Sequence, residues 1–161
     1  MKASEGHIGR VFIVRLEDGD IIPHCIERFA ADKGITHGHV VLVGGIGSGD
    51  VVTGPRTTEE RPPIPIVLPL DGAHEAAGVG IIAPDEQGKP VLHIHAALGR
   101  TGKTTTGCLR NGVTTWVIAE AIIYEILGAT ATRRMDKETG FELLEVEDGN
   151  KWSEKLRNSQ F

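Results

Sequence analysis

The sequence predicts an α+β fold: a single domain built mainly from an antiparallel β-sheet, with one early α-helix. Three observations lead there. The chain has 161 residues, the size of one domain at about 100–200 residues each. Short apolar runs of strand length recur along it, separated by Gly, Pro and Asp turns. One stretch near the N-terminus carries apolar residues at helical spacing. Two tryptophans, one tyrosine and four phenylalanines leave the core mostly to aliphatic side chains.

The elements follow in order. Residues 10–16 alternate, with Val11 and Ile13 on one face and Phe12, Val14 and Leu16 on the other, as a strand does. Asp18-Gly19-Asp20 turns the chain. In the helix that follows, Ile22, Ile26 and Phe29 share a face. Asp20 is placed to cap it, Pro23 fits a first turn where its missing N–H costs nothing, and Gly34 stops it. Residues 39–46 form a second strand. Gly44, Gly45, Gly47 and Gly49 then make a flexible turn into a short strand at 50–53. The proline-rich residues 55–65 are an exposed loop. Residues 66–70, 76–82, 91–98 and 104–110 are further strands. Residues 116–127 fit two templates: Trp116, Ala119, Ile123 and Leu127 have helical spacing, whereas β-branched residues and surrounding strands favour one long strand. Residues 141–146 are the last strand. The domain is expected over 1–149, with a polar tail at 150–161.

Composition narrows the function. No apolar stretch reaches the roughly 18 residues of a membrane helix, and residues 1–9 lack the apolar core of a signal peptide. Two cysteines cannot build a disulfide framework. The expectation is a cytoplasmic protein with free thiols and no membrane partner. A net charge of −5 argues against a dedicated binder of phosphate backbones. Two glycine motifs fail. Gly99-Arg100-Thr101-Gly102-Lys103-Thr104 has Ala97 where a phosphate loop needs glycine, and reads as a hairpin turn. Gly45-Ile46-Gly47-Ser48-Gly49 has Asp50 where a dinucleotide fingerprint needs its third glycine.

The informative stretch is Val91-Leu92-His93-Ile94-His95-Ala96-Ala97-Leu98. On a strand His93 and His95 share one face, and Leu92, Ile94 and Ala96 take the other. A two-residue turn at Thr101-Gly102 pairs Arg100 with Lys103, which carries the pairing back to His95 opposite Cys108. Directly opposed residues have Cβ atoms about 4.5–5.5 Å apart on one face. Two imidazoles and a thiolate suit zinc or another divalent transition metal, and three protein ligands leave one position for water or another ligand. A slip of one residue would send Cys108 to the opposite face. The bland alternative is surface histidines and a cysteine that fills core. Glu120, on an apolar face if 116–127 is a strand, and Glu75 are the candidate proton carriers for a metal-dependent hydrolase. His74 joins Glu75 at a possible rim. His24 and Cys25, and His37 with His39, read as packing or surface residues.

At these residues the sequence resembles the PPC domain, the plants and prokaryotes conserved domain. Matching stretches are Arg15-Leu16-Glu17-Asp18-Gly19-Asp20, Val41-Leu42-Val43-Gly44-Gly45-Ile46-Gly47-Ser48, Ile66-Val67-Leu68-Pro69-Leu70-Asp71-Gly72, Gly88-Lys89-Pro90-Val91-Leu92-His93-Ile94-His95 and Gly107-Cys108-Leu109. The resemblance implies a homotrimer with a metal, commonly zinc, on the His-x-His pair and a histidine of a Gly-Gly-His-Leu segment. Carried over by position, the ligands are His93, His95 and Cys108. The departures are Cys108 where the family has His, and Thr106 in place of the first glycine. The resemblance also implies DNA binding, for which Arg133, Arg134 and Lys137, or Lys151, Lys155 and Arg157, are the candidate clusters, weighed against ordinary solvated charge. The expected function is a metal-binding module, ligand-binding or regulatory, with DNA binding and metal-dependent hydrolysis as alternatives.

Overall fold

The computed structural model describes residues 1–146. The expected tail at 150–161 and the cluster of Lys151, Lys155 and Arg157 lie outside the described residues. In chain order the elements are β1 (His7–Glu17), β2 (Ile21–Ile22), α1 (His24–Lys33), β3 (Gly38–Pro55), β4 (Pro65–Pro69), β5 (His74–Pro84), β6 (Pro90–Arg100), β7 (Lys103–Cys108), β8 (Val113–Leu127), β9 (Ala131–Met135) and β10 (Glu142–Val146). Every pairing is antiparallel. The main sheet runs β1-β8-β3-β5-β6-β7, with β2 on β8 and β4 on β3. β7 also returns to β3, where Cys108 pairs with Val52, so the sheet curls. β9 and β10 form a separate hairpin.

The alternation read from the sequence sets the two faces. Leu16, Val40, Leu42, Leu92, Ile94, Ala96, Leu98, Ala119, Ala121 and Ile123 point inward and are buried. α1 covers them with Ile26 and Ala30, and Phe29 meets Phe12 edge-to-face at 5.4 Å. The opposite face stays open. Val11, Ile13, Val43, Val79 and Ile81 are exposed there, and the pairing aligns Ile13, Ile122, Val41, Val79 and His95 in one row across five strands. Among the described residues no helix is long and apolar enough to cross a membrane.

Two local expectations change, and a third reading that was open between helix and strand resolves to strand. Pro23, not Asp20, stands at the helix N-cap, and no side chain caps it. The Asp20 carboxylate instead accepts the Glu17 N–H at 2.9 Å, closing the turn before the helix. Gly34 ends the helix as expected, at φ 66°. The glycine cluster is not a turn: β3 is one strand of 18 residues. Gly45 lies so close to β8 that a Cβ would sit 2.4 Å from the Trp116 carbonyl oxygen, and register shifts flank it. The glycines let two strands approach rather than letting the chain reverse. Third, 116–127 lies wholly in β8, because β1 and β3 flank it on both edges and satisfy its backbone groups.

Glu125 on β8 is buried, yet Arg10 holds it with side-chain bonds of 2.8 and 2.7 Å and a backbone N–H at 3.0 Å. These donors pull its carboxyl from 4.5 down to about 2. The folded value lies below the unfolded one, so the stabilisation is complete above the ordinary carboxylate range and is lost as pH falls towards about 2. Glu125→Gln is expected to cost about 2 kcal/mol at neutral pH. Urea denaturation of both proteins should show that difference shrinking as the solution is acidified through the carboxylate range.

Candidate metal centre

β6 and β7 meet in the two-residue turn the sequence predicted. Thr101 and Gly102 both take positive φ, 49° and 76°, and Arg100 pairs with Lys103. From that register His95 falls opposite Cys108. Leu92, Ile94 and Ala96 are buried on the core side, which commits His93 and His95 to the open face. The ligand atoms of His93, His95 and Cys108 lie within 4.8 Å of one another, with the two Nε2 atoms 3.1 Å apart. Tetrahedral zinc with bonds of about 2.0–2.1 Å would space two nitrogens at about 3.3 Å. Two nitrogens and one sulfur are also a donor set that zinc accepts. The residues therefore fit the group.

The electrostatics favour the ligating forms. Burial lowers both imidazoles below their ordinary range, helped by Arg133 and Arg110 at His93 and by His93 and Arg110 at His95. The neutral ring is the one that binds metal. Arg110 donates from Nε to Cys108 Sγ at 3.3 Å, and its guanidinium lies 5.3 Å from the Phe141 ring centre. The other thiol, Cys25, is pushed up to about 11 by burial and by Asp20, and remains half-buried in α1.

Of the clefts that touch this centre, two border Phe141. One, of about 310 Å³, reaches His93 between α1 and the β9–β10 hairpin and is lined by His24, Glu27, Arg133 and Glu142. The other, of about 510 Å³, reaches His95 and Cys108 and is walled by Val52, Pro63, Pro65 and Phe141. The model of the Plants and Prokaryotes Conserved (PCC) domain matches residues 3–127. The chain belongs to this family.

Solved structures share the PCC-domain fold. A metal-containing protein from Archaeoglobus fulgidus is 25% identical, with a TM-score of 0.77 over 90% of this chain and 99% of its own. A plant- and prokaryote-conserved (PPC) protein from Pyrococcus horikoshii is 21% identical, with a TM-score of 0.73 over 91% and 100%. A Bacteroides thetaiotaomicron protein, named a "putative DNA binding protein", is 19% identical, with a TM-score of 0.71 over 89% and 97%. None of the curated proteins matches the sequence.

Within this PCC domain the other candidate residues do not converge. Glu120 sits on the open face opposite Arg15 and Val43. It is three strands from β6, about 14 Å at ~4.8 Å per strand. Glu75 is exposed on β5, four residues along from the Val79 that faces His95, or about 13 Å. His74 turns inward, and its Nδ1 lies 2.7 Å from the Gly72 carbonyl oxygen. Neither carboxylate reaches the three donor residues within one chain. The first basic cluster is also altered. Arg133 is buried and donates to the Val91 and Ile81 carbonyls, and Arg134 pairs with Glu145 at 3.0 Å and Glu86 at 3.7 Å.

Sequence reasoning missed Arg110, the residue in direct contact with Cys108. A signal existed: it lies two positions after the cysteine, so an extended chain puts both on one side. His39 was set aside as surface. It occupies the open face two strands from His93, through Ile81, and stacks on Tyr124 at 6.2 Å.

Proposed function

We propose that this PCC-domain chain is a homotrimeric metal-binding module, and that His93, His95 and Cys108 hold zinc or a similar divalent transition metal. Convergence of the three donor atoms carries the reading. The metal supplies a Lewis-acidic position that takes water or an anionic ligand, since three protein ligands leave the fourth open. The chain's own part is to fix the imidazoles by the β6 pleat and to aim the sulfur through the hairpin register. The module acts in a reducing, cytoplasmic setting, where Cys108 stays free to bind. No carboxylate belongs to the donor cluster among the described residues, so ligand binding or regulation ranks above hydrolysis. The exposed apolar face that carries Ile13, Val79 and Ile81 supports self-association, because a face of this kind is costly to leave in water.

Elemental analysis tests the metal. About one zinc per chain is expected, lost in Cys108→Ala and in His93→Ala. A wild type that takes no metal after zinc is offered would return the histidines to ordinary surface residues. Light scattering tests the trimer: three chains of 17.3 kDa are expected, and a mass near one chain removes the claim. DNA association, named for some structural neighbours, ranks lower, because Arg133 and Arg134 are engaged internally.

A further inference from the structure

We infer that the larger cleft, of about 510 Å³, takes a small carboxylic acid with an apolar body, whose carboxylate is held by Arg110 and by the open position of the centre. This rests on the metal-binding reading above. Among the described residues Arg110 is the one fixed charge lining the cleft, and no Asp or Glu lines it. Among the described residues Arg110 forms no ion pair, and its side chain donates through Nε alone, towards Cys108 Sγ. Its terminal nitrogens therefore retain the donors that bind a carboxylate in a fork.

Position comes next. The bond to Cys108 and the contact with Phe141 hold the guanidinium beside the sulfur, so its donors and the centre act on the same end of the cleft. A rigid donor of this kind loses little freedom when a ligand arrives. The walls then set the rest of the molecule. Val52, Pro63, Pro65 and Phe141 offer apolar surface, and a cleft within the ~300–1,000 Å³ range of ligand sites accommodates an aromatic ring on a short chain. A free inorganic phosphate would leave those walls in water. Arg110 also borders the neighbouring cleft, but there Glu27 and Glu142 offset the charges of Arg110 and Arg133, and no carboxylate among the described residues does so in the larger cleft.

The test is calorimetric titration of the zinc-loaded full chain with 3-phenylpropionate and, separately, with its uncharged amide, with zinc content measured on the same samples. The carboxylate is expected to bind about tenfold or more tightly than the amide. Arg110→Gln should erase most of that preference when acid and amide are compared on samples whose measured zinc content matches that of wild type. Equal binding of acid and amide by wild type, or no binding of either, with zinc in place, overturns the carboxylate site and leaves the metal centre standing. A chain that holds no zinc overturns the metal reading and this inference with it. The comparison of acid with amide uses wild type alone, so the test survives an Arg110 variant that fails to fold.

Discussion

Zinc at a thousand times its dissociation constant is expected to stabilise the protein by about 4 kcal/mol, because on the proposed metal-binding reading the folded hairpin would hold it and the open chain would not. For a chain of this length that is about 10 °C in Tm. The centre ties β6 to β7 beside the point where β7 rejoins β3, so metal should oppose opening of that edge of the sheet. Cys108→Ala and His93→Ala should each remove most of the rise. Cys108→His should retain much of it, since imidazole is also a zinc ligand and is what the family resemblance implies at this position. The dependence on pH has a definite sign. Burial holds both histidines below their ordinary range, so the neutral, binding rings persist into mildly acid solution and the rise disappears below that. Differential scanning calorimetry with zinc and with chelator, across pH, reads all of this. A Tm that zinc does not move, or that moves equally in both alanine variants, would remove the centre.

How legible this was depended on the range of the interaction involved. The His95–Cys108 pairing was readable because a two-residue turn at Thr101-Gly102 fixes the register locally, and alternation then assigns the faces. The helix was readable because its apolar spacing and its Gly34 stop lie within one short stretch. The continuity of β3 was not. Glycines at 44, 45, 47 and 49 look like a turn until Trp116, far along the chain, arrives against Gly45. β9 was missed because its alternation is masked by two arginines. Arg133 becomes a buried residue only through carbonyls on β5 and β6, which nothing near it in sequence reveals. Glu120 was correctly placed on an apolar face, but that face is the open one, and the distance to the histidines is a property of strand order.

Strand order also makes a single methyl group informative. Gly107 precedes Cys108 on β7 and faces β3, where an added Cβ would lie 2.5 Å from the Val52 carbonyl oxygen and 2.6 Å from Val51 Cγ1. Backbone cannot yield as a flexible side chain does, so Gly107→Ala must push β7 away from β3. The expected cost is about 1–3 kcal/mol, the usual range for overpacking. The larger effect falls on function. Cys108 pairs with Val52 on one side and His95 on the other, so a β7 displaced from β3 carries the sulfur out of line with the imidazoles. Zinc affinity should fall by about tenfold or more, since misplacing one ligand forfeits much of its bond. Gly99→Ala on the same hairpin is the control. There the nearest heavy atoms to a Cβ are the Glu75 carbonyl oxygen at 3.8 Å and Thr104 Oγ1 at 4.0 Å, ordinary contacts that need no movement. Its zinc affinity should match wild type, and its stability should change little. Competition with a zinc-binding dye separates the two variants directly. Equal affinities in both would show that contact with β3 does not position Cys108, leaving the turn alone to set the ligand geometry.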